Sequence, residues 1–499
     1  MYRKFLYGFI FLIAGLTSCQ KYLDVNTDPT RSLTSSPELA LPAAQVYLAT
    51  GIGGDIASMM SVWCQYWTTK PGTAVNIWDK NNANTSDGNA LFSRFMRGGS
   101  NLTYIINKTD QPIFQGIAKI LLAYQTQICV DLFGNIPYSE AFKGDINDGG
   151  ITSPKYDNAE EIYSNLIQLL DEGIELLHST GAGIRNPGTT DLIYGGDVEL
   201  WEAFANSVKL KVYMRQFNVA DASLIAEMQA FIEETEANEF FILYPSDIAK
   251  VEFSSTASNT NPLWNRNKSS IGLSYVASKT LIDYLKADPN DLRIDKFYDK
   301  NKTGIHVGMK QGNVEQEPND ASFSSPEGAL KSDGGEYIFG PQIPVILISP
   351  WEVKFLLAEA AARGFNLSYT DEDYYYSAIE DNFNYFGLSS SDAANYYSGS
   401  VGSYNSSDLT SKIKSIALQK WISFNGTQSV ESWIETRRLD NVSNPIFSTL
   451  PGGVFVVPTK NDLGGNIFPS ILFYPSQEES YNTSFPGQHP ITNKVFWDN

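Results

Sequence analysis

The sequence predicts a mostly α fold in which helical hairpins form the scaffold, with long irregular loop excursions and few short strands. Three observations predict it. Apolar residues recur at helical spacing in block after block from residue 37 onward. Gly, Pro, Asn and Thr crowd the tracts 70–100, 300–349 and 450–499 that separate those blocks. The 499 residues are 42% hydrophobic and 13% aromatic, enough for a large core with rings to spare for binding surfaces.

The chain opens on Arg3 and Lys4, followed by an apolar run from Phe5 to Leu16. That run is too short to span a hydrocarbon core, which needs about 20 residues. It reads as a signal peptide, residues 1–18. An ordinary secretory signal ends in small-x-small, whereas Leu16-Thr17-Ser18-Cys19 resembles a bacterial lipobox. In such signals the thiol is acylated and becomes the new N-terminus. A single acyl chain holds a membrane only marginally, so several chains on Cys19 make a permanent anchor. Residues 19–36 then form a tether, and 37–499 one domain.

The helices follow in order. Amphipathic patterns cover 39–69, then Ile117, Ile120, Leu121, Tyr124 and Ile128 share one face of the next. That helix stops at Phe133-Gly134-Asn135-Ile136-Pro137, where Gly134 can take a positive φ and Pro137 forbids continuation. Asp131, poorly placed against the helix dipole, is expected to accept backbone N–H groups of the turn. Ile162, Leu166, Leu169 and Leu170 mark a helix behind the acidic first turn Glu160-Glu161. Trp201, Phe204, Ala205, Val208 and Val212 mark another, with Asp197 as N-cap. Further helices are expected at 222–236, 274–287, 350–363, 371–386 and 408–425. The pair 350–363 and 371–386 reads as one hairpin, its Ala358, Ala360, Ala361 and Ala362 allowing close approach and Gly364 ending the first helix. This is tetratricopeptide-like packing without a clean repeat. A short β-like run stands at Val454–Val457.

Composition excludes several functions. A net charge of −20 argues against nucleic-acid binding. Only three histidines occur, far apart, with no HExxH or CxxC, so no zinc site is expected. Neither a phosphate-binding loop nor GxSxG is present. No EF-hand spacing supports calcium. No cofactor is expected. Cys64 and Cys129 read as buried free thiols, a disulfide being the alternative.

Several stretches resemble one family. "DLFGNIPYSEAF", "GGDVELWEAFANSVKLKVYMR", "HVGMKQG", "EVKFLLAEAAARGF", "IALQKWISFNGTQSVESWIETRR" and "LFYPSQEESYN" are similar to motifs of SusD/RagB-type outer-membrane lipoproteins of Bacteroidetes, and they stand in family order. Two departures occur: an Arg usual before the final Tyr-Pro is replaced around Ser470, and "DPNDLRIDKFYD" expands a compact Asp-Pro-Arg. The motifs themselves read as structural, with Gln419, Lys420, Trp421, Trp433, Arg437 and Arg438 forming an internal lock.

The resemblance implies a SusD-like fold and a lipid-anchored, surface-exposed protein of the outer membrane. It would capture a nutrient and act as lid to a SusC-like TonB-dependent β-barrel transporter. The expected ligand is a glycan, with a peptide as the alternative within the same type. A glycoside hydrolase using two carboxylates is the rival class, although no motif marks such a pair. Aromatic rings stack on sugar faces while Asn and Asp bond the hydroxyls. Trp78, Asn76 and Asp79 in the polar tract are therefore ligand candidates, as is Trp264 amid Asn and Arg. Trp63 and Trp67, at i and i+4 on one helix face, serve either the ligand or the core.

Overall fold

The structure is a computed structural model. It describes residues 36–498 apart from 73, 75, 270–273, 314–319 and 332–333. The expected leader, Cys19 and the tether to residue 35 lie outside the described residues.

Helix α1 (Pro37–Ile52) starts on a proline, whose missing N–H costs nothing in a first turn. It ends before Gly53, where a Cβ would sit 2.4 Å from Cγ2 of Val345. The chain restarts as α2 (Asp55–Trp63), turns at Gln65 with φ +56°, and leaves as strand β1 (Trp67–Thr69). The single helix expected over 39–69 is therefore two helices and a strand. Helix α3 (Asn89–Lys108) overturns the loop expected through residue 100. Its Gly98 and Gly99 read as loop residues but are contact points: a Cβ on Gly99 would meet the Phe142 ring at 2.2 Å.

Helix α4 (Pro112–Phe133) ends as expected at Gly134, φ +73°. By length and composition it could cross a membrane, yet 78% of its most apolar window is buried inside the protein. Strand β2 (Ile136–Pro137) pairs with β3 (Tyr156–Asp157). Helix α5 (Ala159–Leu177) is capped by Asn158, which accepts from the N–H groups of Glu160 and Glu161. Helix α6 (Val198–Gln216) is capped by Asp197, as expected, and α7 (Ala222–Ala237) by Asp221.

Shorter elements follow: β4 (Ala249–Val251), α8 (Pro262–Ser269), β5 (Tyr275–Ala277), α9 (Lys279–Lys286), α10 (Ile294–Phe297), β6 (Tyr298–Asp299), β7 (Ser325–Pro326) and β8 (Val345–Ile348). The helix expected over 274–287 is thus a strand and then a helix, with Ser278 as N-cap. Then come α11 (Pro350–Ala362), α12 (Asp371–Tyr385), α13 (Ser390–Tyr397), α14 (Leu409–Ser423), α15 (Ser429–Leu439) and α16 (Ser476–Tyr481). Val454–Val457 forms no strand; instead the Gln65 side chain bonds both the carbonyl and the N–H of Val456, at 2.8 and 3.1 Å.

Sequential helices pack as hairpins: α3 on α4, α4 on α5, α5 on α6, α11 on α12 and α14 on α15. Gly364, φ +97°, follows the first helix of the α11–α12 hairpin, and Ala358 and Ala360 are buried in it. The four named sheets are two-stranded and antiparallel, β1–β5, β2–β3, β4–β8 and β6–β7. One apolar cluster runs from Ala40 to Trp497. Cys64 and Cys129 are free and buried in it, and burial pushes the Cys64 thiol up to about 12.

A buried ion network crosses this core. Lys211 pairs with Glu352 at 2.8 Å and Glu431 at 3.1 Å, and Arg215 with Glu431 at 2.6 Å and with Glu435. Lys420 pairs with Glu435 at 2.8 Å, and Arg438 with Glu359 and Glu435. Ions this deep hold a fold together only when fully paired. Lys420 and Arg438 of the expected lock are part of it, whereas Arg437 bonds carbonyls beside it. Asp131 departs from expectation: its carboxylate accepts from Gln127, Tyr163 and Trp497 side chains and faces Arg215 at 3.2 Å, not the turn. Burial raises its carboxyl, while Arg215 and Tyr163 act the other way. In the expanded Asp-Pro-Arg segment, Arg293 is fully buried and still grips Asp291 through Nε and Nη2, at 2.8 and 2.7 Å.

Candidate functional site

The loop between β1 and α3 is organised around Asp79. Its Oδ1 accepts from the Thr68 hydroxyl at 2.9 Å and from Nε2 of Gln311 at 2.8 Å. Its Oδ2 accepts from the Thr69 N–H at 2.8 Å and from the Thr69 hydroxyl. Gly312 N–H in turn donates to the Thr68 hydroxyl at 2.9 Å. Two irregular tracts more than two hundred residues apart in sequence are therefore stitched at one carboxylate. Asp79 is fully buried. Burial raises its carboxyl, and the bonds from Thr69, Thr68 and Gln311 oppose that rise. A carboxylate whose oxygens are all engaged internally anchors a loop and leaves nothing for a ligand.

The tryptophans sit around this anchor. Trp63, at the end of α2, lies tilted 45° against Trp433 at 5.1 Å and donates from Nε1 to the Trp78 carbonyl at 3.2 Å. Trp67 does not share a helix face with it, because the helix has ended; on β1 its ring lies 5.8 Å from Tyr275 on β5. Trp78 donates from Nε1 to Asp87 at 3.0 Å, and its N–H to the Asn76 side chain at 3.0 Å. The Trp264 N–H donates to Asn261 at 3.1 Å, and its ring meets Phe339 edge-on at 5.2 Å. Trp63, Trp67, Trp78 and Trp264 are all buried, while Asn76 is half-buried. The structure thus brings Trp63, Trp67, Trp78 and Asp79 into one block, and Trp264 enters through α8, which packs on α2.

An exposed ion pair bridges the start of α2 and α8. Asp55 on α2 pairs with Arg266 on α8 at 3.2 Å, and both side chains are exposed. The Tyr275 hydroxyl, buried beneath, is raised by burial first and by Asp79, Asp55 and Asp87, with Arg266 acting the other way. At the C-terminal end of α2, Trp63 and Trp433 wall a cavity of about 400 Å³ together with Arg437, Asp440, Ser448 and Asp498. The hydroxyls of Ser448 and Thr449 and Oδ2 of Asp498 are buried there with no hydrogen-bond partner among the described residues. Arg437 stacks over Trp433 at 3.8 Å and donates only to carbonyls, of Trp433, Ser470 and Asp131. Burial and the like charge of Arg215 lower its guanidinium to about 10, against the pull of Asp498 and Asp131. Unspent hydroxyls, a carboxylate and a guanidinium beside apolar rings suit a ligand with an apolar face and a hydroxylated edge.

Sequence reasoning missed Asp440 and Asp498, since isolated acids in polar tracts carry no spacing signal. It placed Trp433 and Arg437 in a structural lock, which they are, without showing that the lock borders a cavity. Among the described residues, no group of three or more His, Cys, Asp or Glu is placed to hold a metal.

The profile of the SusD-like family, described as starch-binding associating with outer membrane, matches residues 29–454. Among curated proteins none matches. Solved structures share the fold. A SusD homolog from Bacteroides uniformis superposes with a TM-score of 0.70 at 23% identity, over 92% of this chain and 99% of its own. A chitin-binding SusD homolog from Flavobacterium johnsoniae gives 0.73 at 22%, over 93% and 98%. A SusD/RagB family protein from Bacteroides thetaiotaomicron gives 0.73 at 19%, over 93% and 99%.

Proposed function

Because the chain belongs to the SusD-like family, we propose that it is a nutrient-binding lipoprotein that captures a glycan and passes it to a SusC-like TonB-dependent transporter. The observation that carries this reading is the family match across residues 29–454, which follows directly on the lipobox at Cys19. Cys19 would hold the protein on the outer membrane, facing outward, with residues 20–36 as the tether of a hinged lid. The chitin-binding homolog of the same fold favours a glycan over a peptide. The cavity between Trp63 and Trp433, with Asp440, Asp498, Ser448 and Arg437 in its wall, is the site we assign to the sugar. On this reading the polar groups of the cavity bond sugar hydroxyls and the protein binds without cleaving, as expected of a binding family.

The test is purification of the tagged, full-length lipoprotein from outer membranes in mild detergent. A large β-barrel protein in stoichiometric amount supports the lid. Recovery of the protein alone, or in the soluble fraction with Cys19 unmodified, would sink it. Cys19→Ala is expected to move the protein out of the membrane fraction.

A further inference from the structure

A second cavity, of about 530 Å³, opens between the C-terminal end of α7 and the α11–α12 hairpin. It shares no lining residue with the cavity at Trp63. Two aromatic rings stand at its mouth in water: Tyr244 is 52% exposed and Tyr369 is 62% exposed. Large rings this exposed in pairs mark contact surfaces, since leaving them wet forgoes burial. Both are held in place. The Tyr244 hydroxyl donates to Oε2 of Glu239 at 3.0 Å, and the Tyr369 ring meets Tyr374 edge-on at 5.8 Å. Tyr374 forms a buried wall and donates to Glu236.

Glu239 is the telling residue. Helix α7 ends in a Schellman arrangement: the Phe240 N–H reaches the Thr235 carbonyl at 3.1 Å and the Glu239 N–H reaches that of Glu236 at 3.0 Å. The residue between, Glu239, has φ +57°, a position where glycine is usual and a side chain is strained. Nothing in the helix end needs a carboxylate there. What it does is aim an acceptor at Tyr244, on the lip of the cavity.

We propose that this cavity is a second sugar-binding site, with Tyr244 and Tyr369 as the stacking rings and Glu239 and Asp373 as acceptors for ring hydroxyls. The lining charge selects the glycan. Glu236, Glu239 and Asp373 are acidic, and Lys354, the one cation among the described lining residues, is spent on Asp381 at 2.5 Å. A neutral or amine-bearing sugar fits, and a uronic acid is repelled. Such a site would hold a long chain at a second point while another segment occupies the first, raising avidity for polymer over oligomer. The inference rests on the glycan-capture reading.

The test titrates the intact lipoprotein, in a sugar-free detergent, with maltoheptaose, N-acetylchitohexaose, the chitosan hexamer and an oligogalacturonate. Wild type is expected to show two binding events on one of the first three and none on the last. Tyr244→Ala with Tyr369→Ala should weaken one event by about tenfold or more and spare the other. Glu239→Gly separates function from folding: it should leave the melting temperature unchanged or raise it by about a degree, while weakening the same event. Variants that titrate like wild type would overturn the second site alone. Loss of the β-barrel partner with sugar binding intact would also overturn it, assigning the tyrosines to a protein contact. Absence of any sugar binding by wild type would overturn the parent reading as well.

Discussion

Arg438 on α15 grips Glu359 on α11 through two parallel hydrogen bonds, Nη1 to Oε1 at 2.9 Å and Nη2 to Oε2 at 2.5 Å. Both side chains are buried, and Arg438 also reaches Glu435 and the Met214 carbonyl. One pair therefore ties α6, α11 and α15 together. Removing either partner leaves a buried charge only partly compensated, by Arg363 beside Glu359 or by Glu435 beside Arg438. Arg438→Ala or Glu359→Ala is expected to cost about 3–5 kcal/mol, read as a lowered denaturant midpoint. A loss under 1 kcal/mol would show that the network carries no such weight.

The same network sets the acid limit of the fold. Burial works against the Glu359 and Glu431 carboxylates, but Arg438 and Arg363 on the first, and Arg215 and Lys211 on the second, outweigh it and hold both well below their ordinary 4.5. Groups depressed in the folded state stabilise it above their unfolded pKa, and that stability drains as pH falls below it. Asp79 and Asp131, raised by burial, act in the opposite sense and soften the loss. Melting temperature is expected to fall steadily from about pH 4.5 downward, and Glu359→Gln to flatten that slope. A melting temperature constant to pH 3 would contradict the account.

Asp79 joins β1 to the turn at Gln311, so its removal frees two tracts at once. Asp79→Ala leaves the Thr69 N–H buried without that acceptor, while the Gln311 amide keeps the Val62 and Trp67 carbonyls, at a cost of about 1–3 kcal/mol. Amide exchange should accelerate at Thr69 and Gly312 while α4 stays protected. Uniform acceleration across the chain would mean that Asp79 supports global stability and no local anchor.

Helices α4 and α5 touch through glycine. A Cβ on Gly116 would lie 2.7 Å from the Gly173 carbonyl oxygen, and backbone cannot rotate away. Gly116→Ala is expected to cost about 1–3 kcal/mol by forcing the helices apart. Thermal melts against wild type measure it, and an unchanged melting temperature would show that the crossing is loose.

What the sequence made legible was local. The helix cap at Asp197, the acidic first turn Glu160-Glu161 and the stop at Gly134 follow from side chains adjacent to the turn they serve, and the structure has them. Motif order also carried the family and its fold. What failed was long range or ambiguous in composition. Gly98 and Gly99 look like loop residues until the ring of Phe142 lies against them. Trp63 and Trp67 share a helix face only if the helix continues, and the turn at Gln65 stops it. Asp79 in a polar tract looked like a sugar ligand, but its donors come from β1 and from Gln311, far along the chain. Burial of Trp63 and Trp67 was one of the two roles their spacing allowed, but that of Trp78 and Trp264 was invisible, because an indole in a polar segment reads as exposed until its neighbours are placed.

The most direct test of the central claim is a joint measurement of retention and turnover. The purified protein is passed over insoluble starch and insoluble chitin, and the eluate is assayed for reducing ends. The account expects retention on one of them, release by the matching oligosaccharide, and no new reducing ends after prolonged contact. New reducing ends would make the protein a hydrolase, and passage through both without delay would contradict glycan capture.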